Sequence, residues 1–223
     1  MSDTDSFIEE VTEEVRRDRL FLMLKRYGWI GGLAVVLIVG GAAFNEYNKS
    51  KQLAASQKLG DEMIAALSSD DDAGRADALA AISTETTGGS AILAMLQAGA
   101  LAETDKPEDA VARLQEVALN AELPLIYRHI ASFKALGLQQ DSLSIEERRL
   151  QFEALAQPGA PLSLLASEQL ALLDVEAGDV DAAIDRLKAI VEDAGVTADL
   201  KERATQVIVA LGGKLDEAEV SEG

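Results

Sequence analysis

The hydrophobic pattern is most uniform near the N-terminus of the chain. Residues 27–45 contain no Asp, Glu, Lys or Arg and lie between Arg26 and Glu46. As a helix rising 1.5 Å per residue, this segment would be roughly 28 Å long, which matches the hydrocarbon core of a bilayer. Aromatic residues typical of a membrane–water interface lie at its two ends: Tyr27, Trp29 and Tyr47. The pattern predicts one transmembrane helix over residues 27–47.

Residues 1–26 have a different pattern, in which apolar residues recur at three- or four-residue steps. Ser6 and Glu9 fit a capping box, and acidic residues precede basic ones, as the helix dipole favours. We therefore predict an amphipathic helix before the membrane span. Its apolar stripe comprises Phe7, Ile8, Val11, Val15 and Leu22. The stripe fits contact with the membrane surface or a partner helix, and equally a short solvated helix.

Basic residues around the span indicate its orientation. Five Lys or Arg residues precede it, and Lys49, Lys51 and Lys58 follow it. The positive-inside rule therefore favours a cytoplasmic N-terminus. The segment 41–43 resembles a signal-peptidase site, but the long apolar run and the long acidic N-terminal region favour an uncleaved anchor.

Two glycines within the span form a G-x-x-x-G pattern. Gly28 and Gly32 would lie on one face of the helix, where they allow another transmembrane helix to approach closely. They are therefore a candidate packing site. Glycine is common in membrane helices, so a chance pattern is the alternative.

Beyond the span, apolar residues recur at helical spacing and are interrupted by turn sequences. We predict connecting helices over residues 48–89, a repeat domain over 90–213 and a disordered acidic tail over 214–223. The domain divides into three helix pairs and a closing helix. Their predicted bounds are Ala91–Glu103 with Pro107–Asn120, Leu125–Leu138 with Ile145–Ala156, Leu162–Ala177 with Val180–Asp193, and then Asp199–Leu211.

An internal repeat supports this division. A shift of 73 residues aligns residues 108–114 with 181–187 and brings Val117 onto Ile190. The shift equals two periods close to the 34-residue tetratricopeptide (TPR) repeat, in which stacked helix pairs form a continuous core. Small residues would let paired helices approach, and larger ones would fill the space between pairs: Ala98, Ala110, Ala171 and Ala183, and Leu114 and Leu187. The predicted fold is all-α, with one transmembrane helix and a TPR-like α-solenoid of about three helix pairs plus flanking helices.

Composition narrows the possible functions. Aromatic residues make up 4% of the chain, and the net charge of −19 disfavours nucleic-acid binding. The sequence contains no cysteine and no phosphate-binding or hydrolase motif, so we expect no enzyme, no cofactor and no small-molecule substrate. His129 lies on a predicted helix and is expected to be packed or groove-facing, and residues 70–72 lack the spacing of a calcium loop.

A binding surface in such a fold would be the concave face built by the first helix of each pair. Repeat positions place eight residues on this predicted groove: Met95, Glu103, Arg128, Ser132, Leu165, Glu168, Leu172 and Glu176. Arg128 is the one base among several acids, so it is a candidate receptor for a partner's carboxylate. Pairing of Arg128 with a groove glutamate is the alternative.

The chain resembles the YfgM family of TPR-like inner-membrane proteins, which are ancillary subunits of the bacterial Sec translocon. The resemblance rests on the membrane span and on four segments: Phe7-Ile-Glu-Glu-Val11, Arg16-Arg17, Lys25-Arg-Tyr-Gly-Trp29 and Glu176-Ala-Gly-Asp-Val-Asp-Ala-Ala-Ile184. It implies a cytoplasmic N-terminal helix, one inner-membrane anchor and a periplasmic repeat domain. In that family the domain binds proteins, notably a membrane-anchored periplasmic chaperone beside the SecYEG translocon.

The resemblance brings no catalytic residues. We therefore expect a membrane-anchored adaptor that assists protein export or folding. The alternative function is a structural or regulatory assembly factor for an envelope or cell-division complex.

Overall fold

The structure, a computed structural model, describes residues 3–104 and 106–214, with side chains before residue 25 described only for Arg17, Phe21 and Met23. These residues form nine helices and no strand, which confirms the all-α prediction for this part of the chain. The helices are α1 (Asp3–Leu67), α2 (Asp72–Ala80), α3 (Thr87–Ala102), α4 (Pro107–Leu119), α5 (Leu125–Leu138), α6 (Ile145–Leu155), α7 (Ser163–Glu176), α8 (Val180–Glu192) and α9 (Ala198–Ala210). The described side chains do not include those of the predicted apolar stripe (residues 7–22) or of its capping box. The tail after residue 214 also lies outside the described residues.

The chain divides into two compact units, Met1–Lys58 and Leu59–Gly223. In the first unit, the large apolar side chains between Tyr27 and Phe44 are 47–71% exposed. An apolar helix of this length without protein cover is compatible with a single-pass membrane anchor, on the basis of length and composition. At Gly28 and Gly32 an added Cβ would meet no neighbouring atom within 4 Å.

The second unit contains α2–α9 and the last residues of α1. Ala66 of α1 packs in a cluster with Leu79 of α2 and Ala100 of α3. The compact unit therefore starts at Leu59, whereas the predicted repeat domain began at residue 90. The predicted connecting segment contributes helix α2 and part of the core.

Local sequence explains where many of these helices begin and end. The side chains of Asp71, Thr86, Ser144, Asp179 and Thr197 each accept a backbone N–H in the first turn of the following helix. Between α7 and α8, Gly178 has a φ of 84°, a left-handed conformation that glycine adopts at little cost. Of the acidic residues 70–72, which were predicted to form a loop, Asp71 is the N-cap of α2, and Asp72 is the first residue of α2 and pairs with Arg75.

The 73-residue sequence repeat corresponds to a repeat of four helices. Helices α2, α4 and α5 begin 73 residues before α6, α8 and α9, and α3 corresponds to α7 with a slightly different start. Equivalent core positions are fully buried, at 0% exposure: Ala98 and Ala171, Ala110 and Ala183, Leu114 and Leu187, Ala131 and Ala204. The small and large residues thus occupy the interior positions that the sequence assigned to them.

One predicted helix pair differs from the others. Helix α3 packs extensively on α4 and α7 on α8, whereas α5 packs mainly on α4, and α6 mainly on α7. The fourth residue of α4 and of α8 is a buried alanine, Ala110 and Ala183, but the fourth residue of α6 is Arg148. The loosely packed pair is therefore the one whose second helix has a buried arginine, rather than a buried alanine, as its fourth residue. An edge-on contact between Phe133 and Phe152, with ring centroids 5.7 Å apart, still joins α5 and α6.

Candidate protein-binding cleft

Helices α5, α6 and α7 enclose a cleft of about 120 Å³. Leu172 and Glu176 of the predicted groove line it. The other polar residues that line it had not been predicted: Gln140, Arg148 and Gln169. The cleft lies where α5 and α6 pack loosely, and we call it the Arg148 cleft.

Arg148 is a buried cation beside this opening. Its side chain is 8% exposed, and its Nη2 donates to Glu176 Oε1 at 2.6 Å. The Nε of Arg148 is buried and has no acceptor among the described residues. Glu176 is 47% exposed, so the acid of this ion pair reaches solvent while the base does not. The pair therefore leaves one buried N–H donor of Arg148 unbonded.

The other predicted groove acids lie in different surroundings. Glu168 is buried, and Arg203 of α9 binds both of its oxygens, with Nε–Oε1 at 3.0 Å and Nη2–Oε2 at 2.8 Å. This hydrogen bonding raises the pKa of the Arg203 guanidinium above its ordinary value. Glu168 therefore joins α7 to α9 and is not a free carboxylate. Glu103 is exposed and is the C-cap of α3.

Arg128 is held by the backbone. Its Nε donates to the carbonyl oxygen of Ala118 at 3.2 Å, and no carboxylate in the described part of the chain lies within salt-bridge distance of it. Of the two alternatives for Arg128, pairing with a groove glutamate is therefore not seen. Its bond to Ala118 joins α4 to α5.

The remaining predicted groove residues are partly buried. Met95 packs against the cluster that includes Ala98 and Leu114, and Leu165 packs against the cluster that includes Leu187. Ser132 lies on α5 and is half-buried. The eight predicted residues are thus spread over α3, α5 and α7, and the Arg148 cleft contains two of them.

An ionic network centred on a buried aspartate lies near the same helices. Asp174 of α7 is 3% exposed and accepts from Arg149 Nη1 at 2.5 Å and from Arg186 Nε at 3.0 Å. One carboxylate thus connects α6, α7 and α8. The sequence did not predict this network, because its members are 12 and 25 residues apart.

Two larger clefts occupy equivalent positions in the repeat. The first, of about 340 Å³, lies between α2, α3 and α4, and the second, of about 700 Å³, lies beside α7 and α8. Each is lined by a serine, an arginine and a buried β-branched residue: Ser90, Arg113 and Val117 in the first, and Ser163, Arg186 and Ile190 in the second. Arg113 pairs with Glu116 and Arg186 with Asp174, so each arginine has a carboxylate partner.

His129 is half-buried on α5, and its Nδ1 is buried without a hydrogen-bond partner among the described residues. Burial lowers the pKa of His129, and the positive charge of Arg128 lowers it further. Below pH of about 6.5, the unfolded chain therefore binds a proton more readily than the folded chain. Above that pH, His129 is neutral in both states and does not lower the free energy of unfolding. As the pH falls from about 6.5 towards the lower pKa of the folded state, protonation of His129 in the unfolded chain lowers the free energy of unfolding.

We therefore expect the free energy of unfolding to decrease more, or increase less, in the wild type than in a His129→Gln variant when the pH is lowered from 7.5 to 5.5. Urea unfolding of both proteins at the two pH values measures the difference. An identical pH dependence in the variant would show that another group is responsible.

Three comparisons with known proteins find no match. No protein-family model, no curated protein and no solved structure matches the chain. Its function is therefore inferred from its own residues and their geometry.

Proposed function

We propose that the chain is a non-enzymatic, membrane-anchored adaptor whose helical unit binds other proteins. The observation that carries the proposal is the four-helix repeat, in which α2–α5 correspond to α6–α9 and share their buried positions. Stacked helical repeats form extended surfaces that typically bind proteins. The exposed apolar helix of the first unit supplies a means of attachment to a membrane.

The finer description of the helical unit is a TPR-like α-solenoid. Three features support this description. The repeat equals two periods of about 36 residues, small residues lie where α3 meets α4 and where α7 meets α8, and the turns within those pairs are short. The second pair departs from this description, because Arg148 stands at the position of the small residue in α6 and α5 packs only loosely on α6. In this description the solenoid comprises three helix pairs over α3–α8, with the end of α1, α2 and α9 as flanking helices.

The proposed location is the bacterial inner membrane, with a cytoplasmic N-terminus and a periplasmic helical unit. The excess of Lys and Arg before the span supports this orientation. By resemblance to the YfgM family, the proposed partners are a membrane-anchored periplasmic chaperone and the SecYEG translocon. The net charge of −19 supports protein rather than nucleic-acid partners.

Site-specific photocrosslinking in native membranes tests the proposal. A photoreactive residue in place of Leu172, which is exposed and lines the Arg148 cleft, is expected to crosslink the chaperone or a secreted client. A second probe at Trp29, in the apolar helix, is expected to crosslink a translocon subunit. The matched control is Val209, which is exposed on α9 and does not line this cleft.

Absence of both the translocon and the chaperone from the crosslinked proteins would contradict the proposed function. Crosslinks to an envelope or division complex instead would favour the alternative, an assembly factor. Protease added to spheroplasts provides the topology control, because it should digest the helical unit from outside.

A further inference from the structure

We propose that Arg148 binds the carboxylate of one acidic side chain from a polypeptide partner, in the cleft between α5, α6 and α7. The inference rests on the proposed function, because it assigns a ligand chemistry to the protein-binding unit. Glu176 is the internal competitor for the same guanidinium.

The hydrogen bonding of Arg148 points to an acceptor from outside the chain. A guanidinium has five N–H donors in a planar fork, and it binds carboxylates through two of them at once. Glu176 accepts from Nη2 alone, whereas Arg203 uses both Nε and Nη2 to bind Glu168. Arg148 therefore uses only one of the two N–H donors that a bidentate contact with a carboxylate would use. The other donor, Nε–H, is buried and unbonded.

The size and lining of the cleft select the ligand. A volume of about 120 Å³ admits one side chain and excludes a helix. The half-exposed Leu172 offers an apolar contact for the methylenes of a glutamate. Gln140 and Gln169 also line the cleft, and their amides can donate to and accept from the backbone of an extended segment. These features suit a Glu or Asp side chain within a peptide.

The fold does not require an arginine at this position. The corresponding residues of α4 and α8 are the buried Ala110 and Ala183. Arg75 occupies the corresponding position in α2, but it is more exposed and pairs with Asp72 of its own helix. Arg148 is thus a buried cation whose acidic partner, Glu176, can turn to solvent when a ligand carboxylate replaces it. Repulsion by the acidic chain is screened beyond about 8 Å at physiological ionic strength.

Titration of the full-length protein in detergent micelles tests the inference by NMR. The probe is the capped tripeptide acetyl-Ala-Glu-Ala-amide, and its Gln counterpart is the control ligand. The readout is the Nε–H resonance of Arg148, assigned by its loss in R148K. We expect a saturable shift with the Glu peptide and about tenfold weaker binding of the Gln peptide, because a charge-assisted hydrogen bond is lost.

Two variants separate ligand binding from a structural role. E176Q removes the competing charge, so it should bind the Glu peptide about threefold to tenfold more tightly. R113K changes an exposed arginine in another cleft and should leave the affinity unchanged. A gain of affinity in E176Q cannot arise from misfolding, so the test does not depend on the stability of R148K.

The inference is wrong if the Arg148 resonance does not shift, if both peptides bind equally, or if E176Q leaves the affinity unchanged. Its failure is distinguishable from failure of the proposed function. Chaperone crosslinks without peptide binding would reject only the role of Arg148. Peptide binding without translocon or chaperone crosslinks would reject only the proposed partners.

Discussion

Replacing Leu187 with alanine is expected to lower the free energy of unfolding by about 2–5 kcal/mol. Leu187 is completely buried on α8, in a cluster that includes Ala171 of α7 and Leu200 of α9. Truncation removes its apolar contacts and leaves a cavity between three helices, which costs more than the lost burial alone. Urea unfolding of the full-length protein in detergent, followed by circular dichroism, measures the loss.

The matched control is Leu150→Ala, which makes the same chemical change at an exposed position of α6. Its effect should remain within about 0.5 kcal/mol. An equal effect of the two substitutions would contradict the buried position of Leu187.

Leu114→Ala makes the same change at the equivalent position of the first repeat block. If the two blocks unfold together, L114A and L187A should shift one common transition by similar amounts. The two blocks are the four-helix repeats α2–α5 and α6–α9. Because contacts between neighbouring helices largely stabilise a repeat, the blocks can also unfold separately, and each variant should then shift a different transition. The comparison therefore measures the coupling between the blocks.

The helices were largely predictable from sequence because local residues fix their ends. Pro107 occupies the first position of α4, and Gly178 provides the left-handed turn between α7 and α8. The repeat added the buried positions, since Ala110 and Ala183 fall on the same side of equivalent helices and are both fully buried. The helix ends depend on residues close together in the chain, and the repeat is visible when the chain is compared with itself at a shift of 73 residues.

The details of the candidate binding surface were not predictable in the same way. An arginine on a helix is normally solvated, and nothing near Arg128 or Arg148 in sequence distinguishes their surroundings. Arg148 is buried beside the cleft lined by α5, α6 and α7, and it pairs with Glu176, which is 28 residues away. The one available signal was an arginine at a position where α4 and α8 have alanine.

The second large effect is expected for Asp174→Asn, which should lower the free energy of unfolding by about 2–4 kcal/mol. Asparagine preserves the volume, so no cavity forms and the loss reports the ionic interactions. Arg149 and Arg186 would both lose their carboxylate, although each remains partly exposed and can be solvated in part. That exposure keeps the expected cost below that of a fully buried charge. Urea unfolding of D174N beside D185N, an exposed aspartate of α8, isolates the network from a general change in charge.

The sharing of one carboxylate by two arginines also predicts an order among the variants. Arg149→Met leaves Asp174 paired with Arg186, and Arg186→Met leaves it paired with Arg149, so each should cost less than D174N. In the double variant R149M/D174N, one of the two uncompensated charges is absent, so the combined loss should be smaller than the sum of the single losses. Additive losses would show that Asp174 and Arg149 act independently. If one arginine variant lowers the free energy of unfolding as much as D174N, that arginine alone accounts for the stabilisation by Asp174. The carboxylate would then not connect α6, α7 and α8 as the distances indicate.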